Sequence, residues 1–166
     1  MEIRSVEREV EYKATVDDSG RVVLKKKSKI KKGKKSKSAG IQFEARVRSD
    51  LEEKGWIVDK WSNNVDLERG RVVPAKRKFN PFSKVMAIGT GFPDFICFQL
   101  SGDKSYKIMG VEVKINGLLN REEKEKCRFL LEKRVFSEIL IAKKIKEKGR
   151  VLIEYIDLEK ILNRMR

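Results

Sequence analysis

Pro93-Asp94-Phe95-Ile96-Cys97-Phe98-Gln99-Leu100 and, one turn later, Ile108-Met109-Gly110-Val111-Glu112-Val113-Lys114-Ile115 decide how the chain folds. Both are apolar runs of strand length that carry charge at chosen points. Successive strand side chains alternate faces, so Glu112 and Lys114 project to one side and Val111, Val113 and Ile115 to the other. Gly102-Asp103 is turn chemistry, which predicts a hairpin with Asp94 beside Glu112. Charge within an apolar strand is costly to bury unless it is paired or metal-bound. Two carboxylates and a lysine gathered in this way suit Mg²⁺ or Mn²⁺, which take oxygen ligands in a partly hydrated site. A lysine beside such an ion orients a water and stabilises charge on a phosphate. The competing reading of Glu-x-Lys is a solvated strand face. The apolar flanks and the approach through Gly89-Thr90-Gly91-Phe92-Pro93-Asp94 favour the metal site.

Working outward, residues 38–55 predict a helix with Ser38 at its N-cap, Gly55 as its stop, and Phe43, Val47 and Leu51 as its apolar stripe. Glu44 lies at the edge of that stripe, from where it can reach the sheet; the alternative is an ordinary boundary glutamate. Residues 56–61 read as a first strand. After Lys114, Asn116-Gly117 is a turn, and Asn120-Arg121-Glu122-Glu123 has capping-box form. The helix it opens carries Cys127, Leu130 and Leu131 on one face. Residues 137–142 and 151–156 read as two more strands, with Asp157 capping a short helix through Met165. Near the N-terminus, residues 11–16 and 21–24 flank Asp17-Asp18-Ser19-Gly20 as a β-hairpin. Two strands are marginal alone, so this hairpin is expected to pack on the main body or on a second subunit. The expected organisation is α/β, with residues 1–37 as hairpin and lysine-rich linker and residues 38–166 as one domain.

At Pro93-Asp94 and Glu112-Val113-Lys114 the chain resembles the PD-(D/E)xK nuclease superfamily. That resemblance implies a restriction-endonuclease-like α-β-β-β-α-β core with a mixed central sheet, here with an N-terminal hairpin and a C-terminal strand and helix added. The most similar patterns are those of archaeal Holliday-junction resolvases and virus-type VRR-NUC nucleases; the latter share Gly-x-Pro-Asp, Glu-Val-Lys and a Gly117-Leu118-Leu119-Asn120-like step before a helix. The resemblance implies that Asp94 and Glu112, with the Val113 carbonyl, bind Mg²⁺ (or Mn²⁺). It implies that Lys114 positions and helps deprotonate the attacking water. Glu44, matching the first-helix acid, would hold a second ion or that water, leaving 5′-phosphate and 3′-hydroxyl products. Two departures stand out. Glu123 occupies the second-helix region where the virus-type pattern places a glutamine. Glu44 and Asp94 are also fifty residues apart, longer than in compact resolvases. The extra length, 63–90, carries Arg69, Arg71, Lys76, Arg77, Lys78 and Lys84 with Phe79 and Phe82. Basic residues among aromatics suit phosphates and unstacked bases, and the alternative is an extra hairpin turning at Arg69-Gly70-Arg71.

The 166 residues carry 40 Lys+Arg against 25 Asp+Glu, a formal charge of +15, which favours a polyanionic partner. Residues 25–37 hold nine lysines in thirteen positions. Such a run repels itself and reads as a flexible linker or basic strand extension, with Lys31, Lys32, Lys34 and Lys35 as DNA contacts. There is no histidine, which excludes Ser-His and Cys-His triads and histidine-bound zinc. Cys97 and Cys127 fall in core segments and fit a reducing cytoplasm. No apolar run has membrane-span length, and Met1-Glu2-Ile3-Arg4 is no export signal. A cytoplasmic, nucleoid-associated protein is therefore expected, with DNA and a second copy of itself as partners and no small-molecule cofactor. The runner-up is a binding protein that keeps the fold without turnover. Within the enzyme class, branched-DNA resolution in repair, recombination or replication competes with sequence-specific restriction and general nicking.

Overall fold

A computed structural model describes residues 11–17, 21–80, 85–88, 91–102 and 104–163. The chain packs as two units, Met1–Gln42 and Phe43–Arg166. In the first, β1 (Tyr12–Val16) and β2 (Val22–Lys26) pair antiparallel, with Tyr12 opposite Lys26 and Val16 opposite Val22. The expected hairpin is therefore present, its ends tied by Asp17 Oδ1, which accepts from the Arg21 N–H at 2.9 Å. Of the expectation for residues 25–37, only the basic strand extension holds, for Lys25 and Lys26, and the flexible linker fails. Lys25 and Lys26 end β2, and helix α1 (Lys27–Glu53) begins at Lys27. Ser38 accordingly lies inside a helix and caps nothing. Lysine is a good helix former, and adding a residue to an existing helix costs far less than nucleating one, so the run continues a helix where its charge pattern suggested a linker.

The second unit takes up α1 from Phe43. The helix stops as expected at Gly55, whose φ of +82° is left-handed backbone open to glycine. The Trp56 N–H donates to Leu51 O at 3.1 Å and the Gly55 N–H to Glu52 O at 3.0 Å, the paired bonds of a Schellman stop. There follow β3 (Ile57–Lys60), two hairpins, β4 (Asn63–Asp66) with β5 (Arg71–Pro74) and β6 (Arg77–Asn80) with β7 (Val85–Ile88), then β8 (Phe95–Ser101) and β9 (Ser105–Lys114). Helix α2 (Arg121–Glu132), β10 (Glu138–Glu147), β11 (Arg150–Asp157) and α3 (Leu158–Asn163) complete it. The stretch 63–90 thus holds two hairpins among its described residues, and Phe82 and Lys84 lie outside them.

Five strands form one mixed sheet in the order β11-β10-β9-β8-β3. β10 runs parallel to β9, with α2 in the connection between them; the other neighbours are antiparallel. Each sheet face is covered by a helix. On one, Phe43, Val47 and Leu51 of α1 meet Val58, Cys97, Met109, Val111 and Ala142. On the other, Cys127 and Leu130 of α2 join Ile139, Ile141, Phe136 and Leu158. α2 opens with the expected capping box, in which the Asn120 side chain accepts from the Glu123 N–H while the Glu123 carboxylate accepts from the Asn120 N–H. Asp157 caps α3 as expected, accepting from the Glu159 N–H at 2.9 Å. Residues 164–166, including Met165, lie outside the described range. No helix of the described residues is long and apolar enough to cross a membrane.

Candidate active site and metal centre

Close packing fixes the approach to Asp94. A Cβ on Gly91 would stand 1.9 Å from the Trp61 carbonyl oxygen, so no other residue lets the chain pass there. The Phe92 N–H donates to Asn63 O at 2.8 Å and the Trp61 N–H to Asp94 O at 3.2 Å, holding both sides of the bend. Pro93 then lies over Gly110 of β9, where an added Cβ would come within 2.9 Å of its ring. Phe95 pairs with Val111, which sets Asp94 level with Glu112 across the two strands.

The two carboxylates clasp each other's strands. The Val113 N–H donates to Asp94 Oδ2 at 2.9 Å, and the Asp94 N–H donates to Glu112 Oε2 at 3.1 Å. Lys114 lies on the same side of β9 as Glu112. Its ammonium is shared between Glu112 Oε1 at 3.1 Å and Glu123 Oε1 at 2.5 Å. Glu123 therefore both caps α2 and binds the motif lysine. Its capping role is legible in local sequence; its contact with Lys114 depends on where α2 docks.

Glu112 is 5 % exposed, the one buried charged residue among those described. Burial first, and then the charge of Asp94, push its pKa up to about 8, because Lys114 divides its charge with Glu123 and offsets this only in part. Asp94 is also raised, by burial and by repulsion from Glu44, against the pull of the Val113 N–H, Lys60 and Lys114. Lys114 is raised as well, which for a base favours the charged form. Burial opposes its charge, but the bonds to Glu123 and Glu112 outweigh that and hold it above the usual lysine range.

Glu44, Asp94, Glu112, Val113 and Lys114 all line one cleft of about 430 Å³, along with Asn64, Asn120, Glu122, Glu123 and Lys126. The structure thus brings all four expected catalytic side chains to one place. Glu44 is held there by Lys60 at 2.5 Å, a partner that sequence reasoning missed. Lys126 was missed as well: its side chain is only 13 % exposed, it pairs with Glu122 at 2.7 Å, and it faces the cleft from α2. Among the described residues no three Asp, Glu, Cys or His side chains already stand at metal-ligand spacing. The ready pair is Asp94 and Glu112, with Glu44 drawn toward Lys60.

Five carboxylates and two lysines line this cleft, formally −3 within a chain of +15. Carboxylates crowded and half-neutralised in this way are chemically suited to a hard divalent cation. Beside the cleft is a larger one of about 810 Å³, lined by β4–β5 residues and Lys76, which shares Asn64, Glu122 and Lys126 with it. Of the other expected DNA contacts, Arg69, Arg71 and Arg77 are exposed on the hairpins, with Arg69 3.8 Å from Asp66. Lys31, Lys32, Lys34 and Lys35 are exposed on α1. The side chains of Lys78 and Phe79, and Lys84 altogether, lie outside the described residues. A scan against protein-family models and searches of curated proteins and of solved structures find no match to this chain.

Proposed function

We propose that the chain is a metal-dependent DNA endonuclease on a restriction-endonuclease-like core, acting on branched or junction DNA in repair, recombination or replication. The order α1, β3, β8, β9, α2, β10, with β10 parallel to β9, supports the α-β-β-β-α-β arrangement. The observation that carries the activity is the acidic cleft in a basic protein. A phosphodiester meets crowded acids at Asp94, Glu112 and Glu44 unless a cation is bound, which would also displace the proton that Glu112 otherwise holds, whereas the rest of the chain attracts that same polyanion. Asp94 and Glu112 are the residues that would hold Mg²⁺ or Mn²⁺, with the Val113 carbonyl as a further oxygen. When bound, such an ion polarises the phosphate and lowers the pKa of water.

Lys114, held charged by its two glutamates, is a donor: it orients the attacking water and stabilises negative charge on the phosphate. The water's proton would pass to a carboxylate of the cleft or to solvent. Glu44, on the wall of the cleft, would hold that water or a second ion. Lys126 and Lys76 line the adjoining cleft, where a strand leaving the site would pass. A binding-only protein has no need of a buried, proton-hungry glutamate opposite a second acid.

The test is a cleavage panel of single-strand, duplex, flap, splayed and four-way DNA with Mg²⁺. Asp94→Asn should abolish cutting while binding in EDTA stays equal or tightens, since one fewer negative charge faces the phosphates. If that variant cuts as well as the parent, the site assignment is wrong.

A further inference from the structure

The first part of α1 carries Lys27, Lys29, Lys31, Lys32, Lys34, Lys35 and Lys37, every one exposed. Among the described residues only Lys27 of these has an ion-pair partner, Glu11 at 2.8 Å. Residues three or four apart on a helix are neighbours. Lys27 with Lys31 and Lys31 with Lys35 are therefore like-charge pairs, as are Lys29 with Lys32, Lys31 with Lys34, Lys32 with Lys35 and Lys34 with Lys37. Each such pair costs roughly 0.2–0.5 kcal/mol in an isolated helix. The first turn has no acidic residue to offset the helix dipole. A segment with so much internal repulsion gains by meeting a polyanion.

Direction narrows the polyanion. A step of two residues turns a helix by about 200°, so Lys29 and Lys31 project from nearly opposite sides, and so do Lys35 and Lys37. A single strand, or the outer rim of a duplex, offers phosphates on one side and needs only a one-sided stripe. The B-DNA major groove, about 12 Å wide, admits a helix and presents phosphates on both walls. A-form RNA has a deep, narrow major groove that side chains do not reach into.

We infer that residues 27–37 seat in the major groove of duplex DNA, with Lys31 and Lys35 meeting one wall and Lys29 and Lys37 the other. This rests on the DNA reading above and narrows the partner to a duplex, which is what the arms of a branched substrate offer.

The experiment uses the full chain in EDTA, so that binding is read without cutting, on a duplex and on a single strand of equal length. Lys29→Gln/Lys37→Gln and Lys31→Gln/Lys35→Gln keep helix propensity. Each lost phosphate contact flattens the slope of log affinity against log salt by about 0.9 on duplex. Both variants should therefore flatten it, each by up to about 1.8. Dimethyl sulfate reports the groove: the parent should protect guanine N7, in the major groove, and leave adenine N3, in the minor groove, open. An unchanged duplex slope for Lys29→Gln/Lys37→Gln, or protection of adenine N3 instead of guanine N7, overturns the inference. So does single-strand binding as tight as duplex binding. Mg²⁺-dependent cutting is scored separately on the same proteins. Cutting that persists beside any of those results leaves the nuclease reading standing, whereas a parent with no DNA affinity at all would end both.

Discussion

Glu112→Gln tests the electrostatic basis of the site without any DNA. The folded chain holds the Glu112 proton up to about pH 8, against an ordinary value of 4.5, through burial and the neighbouring charge of Asp94. The folded state thus binds this proton more tightly than the unfolded chain does. Across that window the contribution of Glu112 to stability falls as pH rises, and it is regained on acidification. A tenfold change in proton affinity is worth about 1.4 kcal/mol, so the limiting penalty at alkaline pH is about 5 kcal/mol. Asp94 shares the burden and water can enter the cleft, so about 1–3 kcal/mol is the working expectation. Glutamine keeps the shape and removes the charge. In EDTA the variant should melt with the parent below about pH 4, where the side chain is neutral in both the folded and the unfolded chain, and several degrees above it near about pH 8.5. Millimolar Mg²⁺ should reverse the order at the higher pH. A ligand at a hundred times its Kd adds about 2.7 kcal/mol to the parent, and the variant has lost half its carboxylate pair. Scanning fluorimetry across pH, with EDTA and with Mg²⁺, reads all of this. A variant that melts well below the parent in EDTA at about pH 8.5 would make Glu112 a net stabilising partner of Lys114 and the Asp94 N–H, and the case for a charge-starved metal site would fall.

The remaining predictions concern its neighbours. Glu44→Ala should fold normally, because a half-exposed ion pair is worth at most about 1 kcal/mol, yet should cut much more slowly; a large drop in melting temperature with unchanged activity of the folded fraction would make Glu44 structural. Lys60→Ala frees Glu44 and should lower the Mg²⁺ concentration needed for half-maximal cutting, and an unchanged or raised requirement in a metal titration would refute that. Lys114→Ala should lose turnover while keeping Mg²⁺-dependent thermal stabilisation, and loss of both would make it a support for the metal ligands. The protein should be a homodimer, since cutting two strands calls for two sites and two-fold pairs are the commonest assembly. Tyr12, Val22 and Leu24 of the β1–β2 hairpin are 52 %, 73 % and 71 % exposed and are candidate contacts. A monomer by light scattering at tens of micromolar, with and without DNA, counts against it.

What the sequence made legible was local. The two-residue alternation around Glu112, the Asn120–Glu123 box and the Gly55 stop each depend on near neighbours, and each appears where the pattern places it. The start of α1 was hidden because Lys27 lacks both a capping side chain and a first-turn acid, so the charge run spoke louder than helix propensity. The length of β10 was hidden for a related reason. Its apolar pattern ends near Ala142, but Lys143 pairs across the sheet with Glu154 at 2.9 Å and the ladder runs on to Glu147. In the site, Asp94 and Glu112 could be paired from hairpin logic. Lys60 against Glu44, Glu123 against Lys114, and Lys126 in the cleft depend on how helices dock on the sheet, which no short spacing encodes.

The two cysteines sit on opposite sides of the sheet. Cys97 lies in the layer under α1 and Cys127 in the layer under α2, both without exposed surface. Burial pushes both thiols up to about 12, so neither is reactive while its layer is closed. The native chain therefore carries one silent chemical reporter in each half of its core. The rate at which a thiol reagent captures Cys97 measures how often the α1 layer opens, and the rate for Cys127 measures the same for α2. Equal rates would mean that the core opens as a single cooperative unit. Faster capture at Cys127 would mean that the helix carrying Glu123 and Lys126 lifts away first, loosening one wall of the cleft while the strands bearing Asp94 and Glu112 stay paired.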